Sequence, residues 1–284
     1  MGSVDLHLHT TASDGVLSPS RIVNYAKEKG LQAIAITDHD TIEGNPEALN
    51  EGVKAGLEVI PGVEISAQCD LGSMHILGFF IDSENRALNK RLARLQETRA
   101  ERNPKMAQKL RDLGLDITYE DVLEASGGGQ VGRPHFAHVL LKKGYVTSVQ
   151  EAFDRYLKKG APAYVDKFRF DPSEAIGLIR EAAGIPVLAH PFTVHLPSHH
   201  RLNDLLGKLV RMGLMGIEVY YPEHTSDQVS LYKGFADELG LLITGGSDYH
   251  GFEADKVQIG MGSRDTRLSY SLVEAMKRAL SLHS

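Results

Sequence analysis

Seven apolar runs punctuate the chain, at residues 4–9, 31–37, 57–66, 74–80, 185–190, 215–221 and 239–244. Most are near-continuously apolar rather than alternating, the pattern of parallel strands buried on both faces. After the runs come polar, ligand-type residues and then helix starts. Three helix starts pair a capping residue with proline at the first helical position: Ser18-Pro19, Asn45-Pro46 and Asp171-Pro172. Glu174 is spaced to complete a capping box with Asp171. Alternating strands and helices predict a wound parallel sheet or a βα barrel. Seven strands with His, Asp or Glu at their carboxyl ends favour the barrel, because barrels build their active sites on that rim.

The rhythm breaks between residues 84 and 168. Residues 86–111 hold nine Lys or Arg and two Glu on a helical pattern, with an interruption predicted near Asn103-Pro104. A segment at 115–124 follows, then Gly127, Gly128 and Gly129, then a further helical stretch opened by Gly132-Arg133-Pro134-His135. The expected division is therefore barrel (1–83), helical insertion over the C-terminal face (84–168) and barrel again (169–284). The bland reading of the basic helices is a solvated face; the functional one is a cap that faces phosphate.

Composition narrows the function. The net charge of −6 argues against coating duplex nucleic acid, yet leaves room for a small phosphorylated substrate held by local cations. No apolar stretch nears the roughly 18–20 residues of a membrane helix, and no charged-then-apolar leader pattern is visible. The single cysteine, Cys69, excludes an internal disulfide framework and Cys-rich zinc sites. The expected location is the cytoplasm.

Thirteen histidines raise the question of placement. The residues ending the apolar runs are His7 and His9 with Asp14, then His39 in Thr37-Asp-His-Asp40, Glu64, His75, His190, and Asp248 with His250. In a strand, positions i and i+2 share a face, so His7 and His9 reach one centre. One such histidine would be an ordinary buried side chain. Nine donors converging on a rim would have to share protons, and divalent ions relieve that crowding. Nine donors exceed one tetrahedral zinc, implying two or three ions. Without thiolates, Mn, Zn or Fe all suit the set. Such ions activate water and clamp phosphoryl oxygens, so a hydrolase follows. No Walker, G-x-G-x-x-G or G-x-S-x-G motif competes.

These residues resemble the PHP (polymerase and histidinol phosphatase) family. The resemblance rests on Asp5-Leu-His-Leu-His9, Ser13-Asp-Gly15, Ile36-Thr-Asp-His-Asp40, Gly62-Val-Glu-Ile-Ser66, Ala189-His-Pro191 and Gly246-Ser-Asp-Tyr-His250. The stretch from Ser13 to Pro19 and Thr37-Asp-His-Asp-Thr41 look most like the TrpH-like branch. The resemblance implies a distorted (β/α)7 barrel with a metal cluster. His7 and His9 would share one ion with Glu64 and Asp248. Glu64 would bridge to a second, held by His75 and His190, and Asp14, His39 and His250 would hold a third. Other branches carry His in place of Asp14.

Members of this branch remove the 3′-phosphate of nucleoside 3′,5′-bisphosphates, and some trim short RNA from its 5′ end. By resemblance, Arg133 and His135 bind substrate phosphate, with Lys167 and His224 as further substrate-binding candidates. A hydroxide between two ions, beside Glu64 and Asp248 as catalytic residues, would attack phosphorus in line. The partner expected is a nucleotide or short oligonucleotide, with no stable duplex binding and no membrane. The rivals are a histidinol-phosphatase-like monoesterase, a 5′–3′ exonuclease, and a metal-binding accessory module without turnover.

Overall fold

The computed structural model describes residues 3–252, 257–263 and 266–282. Eight strands form one sheet: β1 (Ser3–Leu8), β2 (Leu31–Ile36), β3 (Glu58–Ala67), β4 (Met74–Phe79), β5 (Ile185–Leu188), β6 (Gly216–Tyr220), β7 (Leu242–Gly245) and β8 (Leu268–Ser269). Their order is β7-β6-β5-β4-β3-β2-β1-β8. Leu8 bridges Tyr249, and the His9 N–H donates to the Tyr249 carbonyl at 3.1 Å. These links draw the β7 end against β1 and curl the sheet into a nearly closed barrel. Seven strands fall on the predicted runs. The eighth, two residues antiparallel to β1, is too short to leave a sequence pattern.

β4 departs from the all-parallel expectation, running antiparallel to both β3 and β5. Only residues 68–73 join β3 to β4, and a parallel return needs a crossover of a dozen residues or more. His75 therefore sits at the amino end of its strand, not the carboxyl end. The reversal nevertheless places it on the rim where the other strands finish.

The helices cover the outside. Helices α1 (Pro19–Glu28) and α2 (Asn45–Ala55) pack together beside β2 and β3. The α1 cap is as predicted, with Ser18 accepting from the Arg21 N–H. At α2, however, Gly44 takes the cap position and Asn45 is the first helical residue. Its side chain instead exchanges hydrogen bonds with the Gly62 backbone, donating at 2.8 Å and accepting at 3.1 Å.

Between β4 and β5 lie α3 (Arg86–Asp112), α4 (Tyr119–Ala125), α5 (Arg133–Lys142) and α6 (Val149–Ala152), the last continuing into a π turn, Phe153–Leu157. α3 is one helix of 27 residues, unbroken at Pro104. Leu88, Leu92 and Leu95 join the barrel core, while Met106, Ala107 and Leu110 join a separate apolar cluster with Phe136, Leu140 and Leu157. Proline in a helix interior costs about 3 kcal/mol. Burial of six apolar side chains, at roughly 1.5–3 kcal/mol for each large one, outweighs it.

The remaining helices are α7 (Pro172–Glu181), α8 (His199–Arg211), α9 (Ser226–Leu239) and α10 (Ser271–Ser281). Asp171 caps α7 through the Ser173 N–H. Glu174 makes no capping box there, because its carboxylate pairs with Arg91 of α3.

Barrel closure leaves no room at Gly246. A Cβ there would sit 2.3 Å from the His7 Cβ and 2.5 Å from the His7 backbone nitrogen. Gly246→Ala is expected to cost about 1–3 kcal/mol of stability, as overpacking does, and to displace His7. Urea unfolding of the variant measures the first effect, and its bound-metal content the second.

Candidate metal centre

The strand ends deliver the donors to one place. β1 carries His7 and leads directly to His9, with Asp14 in the following loop, while β2 leads to His39. β3 carries Glu64 and β4 carries His75. His190 follows β5, and Asp248 and His250 follow β7. Glu64 lies at the middle, fully buried. Its Oε1 is 2.8 Å from His75 Nδ1 and 3.0 Å from His190 Nε2. Its Oε2 is 2.8 Å from His39 Nδ1, 3.3 Å from His9 Nε2 and 3.4 Å from His7 Nε2. Asp248 Oδ1 lies 2.9 Å from His9 Nε2 and 3.4 Å from His7 Nε2. Asp14 Oδ1 is 3.4 Å from His250 Nε2 and 3.7 Å from His9 Nδ1.

Three groups of donor atoms result, each drawn within 4.8 Å: His7, His9, Glu64 and Asp248; His39, Glu64 and His75; and His9, Asp14, His39 and His250. The first is the predicted set. In the second His39 joins Glu64 and His75, and His190 Nε2 meets the same Glu64 oxygen as His75, 3.4 Å from His75 Nδ1. In the third His9 joins the predicted trio.

The donor set fits divalent cations on a structural criterion. His7 Nε2, His9 Nε2, His39 Nδ1, His250 Nε2, Glu64 Oε2, Asp248 Oδ1 and both Asp14 oxygens are buried polar atoms without a hydrogen-bond partner. Buried polar atoms are ordinarily satisfied. Here eight unsatisfied ones face each other, all of a kind that ligates hard or borderline ions.

Charge distribution tells the same story. Burial lowers the basicity of His9, but the neighbouring carboxylates of Asp248 and Glu64 outweigh it and push the imidazole up to about 10. His7 is also raised well above its ordinary value, against burial, by Glu218, Asp248 and Glu64. His75, for which burial dominates over Glu64, falls to about 4. Burial would raise Glu64, yet His39, His75 and His7 hold it well below the usual carboxylate range. Carboxylates of this density bind positive charge, and neutral imidazoles are metal ligands once protons leave.

Surrounding residues fix the donors. Asp38 accepts from the Thr10 N–H at 2.7 Å and Oγ1 at 2.8 Å, and from Ser13 Oγ at 2.5 Å, which shapes the loop carrying Asp14. Tyr221 Oη donates to Asp248 Oδ2 at 3.0 Å. Asp40 accepts from the Ser66 N–H at 2.8 Å and from Lys167 Nζ at 2.8 Å, and pairs with Arg99.

A family model, the PHP domain, matches residues 5–165. The chain belongs to the PHP family. It is 34% identical over 256 residues to a 5′-3′ exoribonuclease of Haemophilus influenzae, covering 90% of this chain and 92% of that protein. It is 31% identical over 251 residues to a 3′,5′-nucleoside bisphosphate phosphatase of Chromobacterium violaceum, covering 88% of each. A crystal structure from Bifidobacterium adolescentis, assigned as a metal-dependent phosphoesterase, superimposes with a TM-score of 0.85 at 29% identity, over 96% of this chain and 94% of that one. This PHP chain is a phosphoester hydrolase with a divalent-metal site.

The four substrate-binding candidates are placed unequally around that site. Arg133, at the start of α5, lines the cavity over the cluster. Lys167 reaches the same space while bonded to Asp40 and, at 3.0 Å, to Ser66. His135 is buried, accepts the Gly132 N–H on Nδ1 at 3.0 Å, and packs edge-on against Phe252. His224 donates to the Val219 carbonyl at 2.9 Å and is packed by Phe192, Tyr221 and Tyr232, outside the cavity lining. Arg99, Arg102 and Arg169 were not singled out from sequence. Arg99 and Arg102 were hidden among nine basic residues, although their i, i+3 spacing puts them on one helix face. Glu218, inside an apolar strand, was missed too.

Glu64→Gln is expected to lose roughly one bound divalent ion or more per chain, with hydrolysis falling in step, because removing a ligand removes binding free energy directly. Elemental analysis of dialysed protein reads the first effect. In the unaltered enzyme, chelation should abolish turnover reversibly.

Proposed function

We propose that this enzyme removes the 3′-phosphate from a nucleotide bearing a second phosphate, a nucleoside 3′,5′-bisphosphate. The observation that carries this reading is a set of cations in the same cavity as the donor cluster. A cavity of about 200 Å³ is lined by Asp14, His39, His75, Asp248 and His250 together with Arg99, Arg133, Lys167 and Arg169. Asp40 compensates Arg99 and Lys167, and Asp166 pairs with Arg169. Among the described residues Arg133 has no carboxylate partner, and burial pushes its guanidinium down to about 10. Arg102 lies behind, 4% exposed, its guanidinium held by the Asn103 side chain and depressed by burial and by Arg99, Arg133 and Arg169. Buried cations in excess of anions are costly, and a phosphate dianion is the natural complement.

Divalent ions, when bound, supply activated water and charge neutralisation at the scissile phosphoryl group. The chain's own residues do the rest. Glu64 and Asp248 orient the donors, with the Tyr221 hydroxyl holding the far oxygen of Asp248. Arg133, which lines the same cavity as the donors, stabilises charge growing on the phosphoryl oxygens. Lys167, Arg99 and Arg169 hold the second phosphate and so fix which ester faces the cluster. The bisphosphate phosphatase relative supports the substrate class. A cytoplasmic location fits a chain with one thiol.

A second reading is favoured by a different observation. The wider cavity, about 960 Å³, is lined by His75, His190 and Asp248 and also by Lys158 and Lys159. It has room for more than a mononucleotide, as 5′ trimming of short RNA requires.

A phosphate-release panel of nucleoside bisphosphates, monophosphates and 5′-phosphorylated short RNAs, supplied with Mn, Zn or Fe, tests both. Charge-assisted hydrogen bonds contribute about 1.5–3 kcal/mol each, so two lost with the second phosphate should lower kcat/KM roughly 100-fold or more for 3′-monophosphates. Inactivity towards every phosphoester, with metal bound, would leave the accessory-module reading standing.

Lys167 gives a pH signature. Burial and the charge of Arg99 press its ammonium down to about 7, against the pull of Asp40. Below that pH it is cationic and attracts the second phosphate; above it the attraction fades. Substrate phosphates are already doubly ionised there, with a second pKa near ~6. The kcat/KM for bisphosphates should therefore fall as pH rises through about 7. Lys167→Arg should remove that inflection.

A further inference from the structure

Glu218 has no role in the donor groups described above, yet it is fully buried on β6, in the wall of the barrel. Its two oxygens are both engaged. Oε1 lies 3.0 Å from His7 Nδ1, and Oε2 accepts the His190 backbone N–H at 2.7 Å. His7 lies on β1 and His190 just after β5, far apart in sequence. We infer that Glu218 is a positioning residue that sets the tautomer of His7 and the backbone of His190 together, so that both rings present nitrogen lone pairs to the metal centre.

The argument is one of hydrogen-bond types. A carboxylate oxygen only accepts, so the proton of neutral His7 sits on Nδ1. That leaves Nε2 as the lone-pair atom, and Nε2 is the unsatisfied nitrogen that points at Glu64 Oε2 and Asp248 Oδ1, 3.4 Å from each. At His190 the backbone is held at φ 23°, a left-handed conformation that non-glycine residues rarely adopt. Such strain persists only where surroundings enforce it. The Glu218–N–H bond is one restraint, and the Thr193 hydroxyl, 3.0 Å from His190 Nδ1, aligns the ring so that Nε2 faces Glu64.

Two donors face this one side chain, so only a carboxylate satisfies both. Glutamine has nearly the same shape but one accepting oxygen and one donating nitrogen. If its oxygen faces the His190 N–H, its NH2 confronts His7 Nδ1 and drives the proton to Nε2. If it is flipped, the NH2 meets the His190 N–H and that strained turn must move. Either outcome removes a ligand nitrogen. The inference rests on the metal-centre reading and is independent of which phosphoester is cleaved.

Metal titration calorimetry and elemental analysis of Glu218→Gln, with its folding checked by thermal unfolding, form the test. Outer partners of ligating histidines typically set affinity by about 10–100-fold, and a loss of that size for at least one ion is the expected result. Activity should recover partly at high metal concentration, unlike in Glu64→Gln. Unchanged affinity and stoichiometry in a folded Glu218→Gln would overturn the inference. If the unaltered chain itself took up no Mn, Zn or Fe, the metal-centre reading would fail instead. Should the variant not fold, long-range nitrogen–proton NMR of His7 in the unaltered, metal-free chain decides at a pH where the ring is neutral. A proton on Nδ1 supports the inference, and a proton on Nε2 overturns it.

Discussion

A carboxylate with no access to water, surrounded by five imidazoles, is the arrangement on which the rest of the molecule depends. Glu64 touches His7, His9, His39, His75 and His190 within 3.4 Å. Burying such a charge alone costs many kcal/mol. Imidazoles compensate only if they carry protons or hold cations, and burial disfavours protonating all of them at once. Asp248 and Glu64 raise His9, whereas burial lowers His75, so the histidines of one small cluster do not share one affinity for protons. Divalent ions held by these residues would supply the concentrated positive charge that the unsatisfied donor atoms call for. The backbone of Glu64 serves the same centre: its N–H donates to the Asp38 carbonyl, and its carbonyl accepts from the Asp40 N–H. The loop carrying His39 is thereby tied to β3.

Asp40 extends that order to the helices between β4 and β5. It accepts from Ser66 beside the metal centre and also binds Lys167 and Arg99. α3, which carries Arg99, is packed into the barrel core by one half and into a separate apolar cluster by the other. The result is one cavity whose lining holds both the carboxylate and imidazole donors and buried cations.

Several features were legible because they are local. Apolar runs marked seven strands, and the His7–His9 spacing put two donors on one face. Ser18 and Asp171 act as caps because capping needs only a few adjacent residues. Other features failed for equally physical reasons. Asn45 looked like a cap but serves Gly62 across the sheet, and Glu174 looked like half a capping box but pairs with Arg91. Pro104 looked like a break, yet two cores hold the helix through it. His224 offered a plausible donor in a loop, and aromatic neighbours enclose it.

The nine donors, their chemistry and their attachment to strand ends were determined by the sequence itself, since residue type and local spacing are properties of the chain. Tertiary structure decided which donors share a centre. Barrel closure brings His7 against Asp248 and Glu218, more than two hundred residues away, and no spacing rule reaches that far. It also decided that His75 arrives from a reversed strand, that Arg99 and Arg169 line the same cavity as the donors, and that Glu218 bonds His7 from β6. Those are contacts between elements, fixed by how the sheet curls and packs rather than by any stretch of the chain alone.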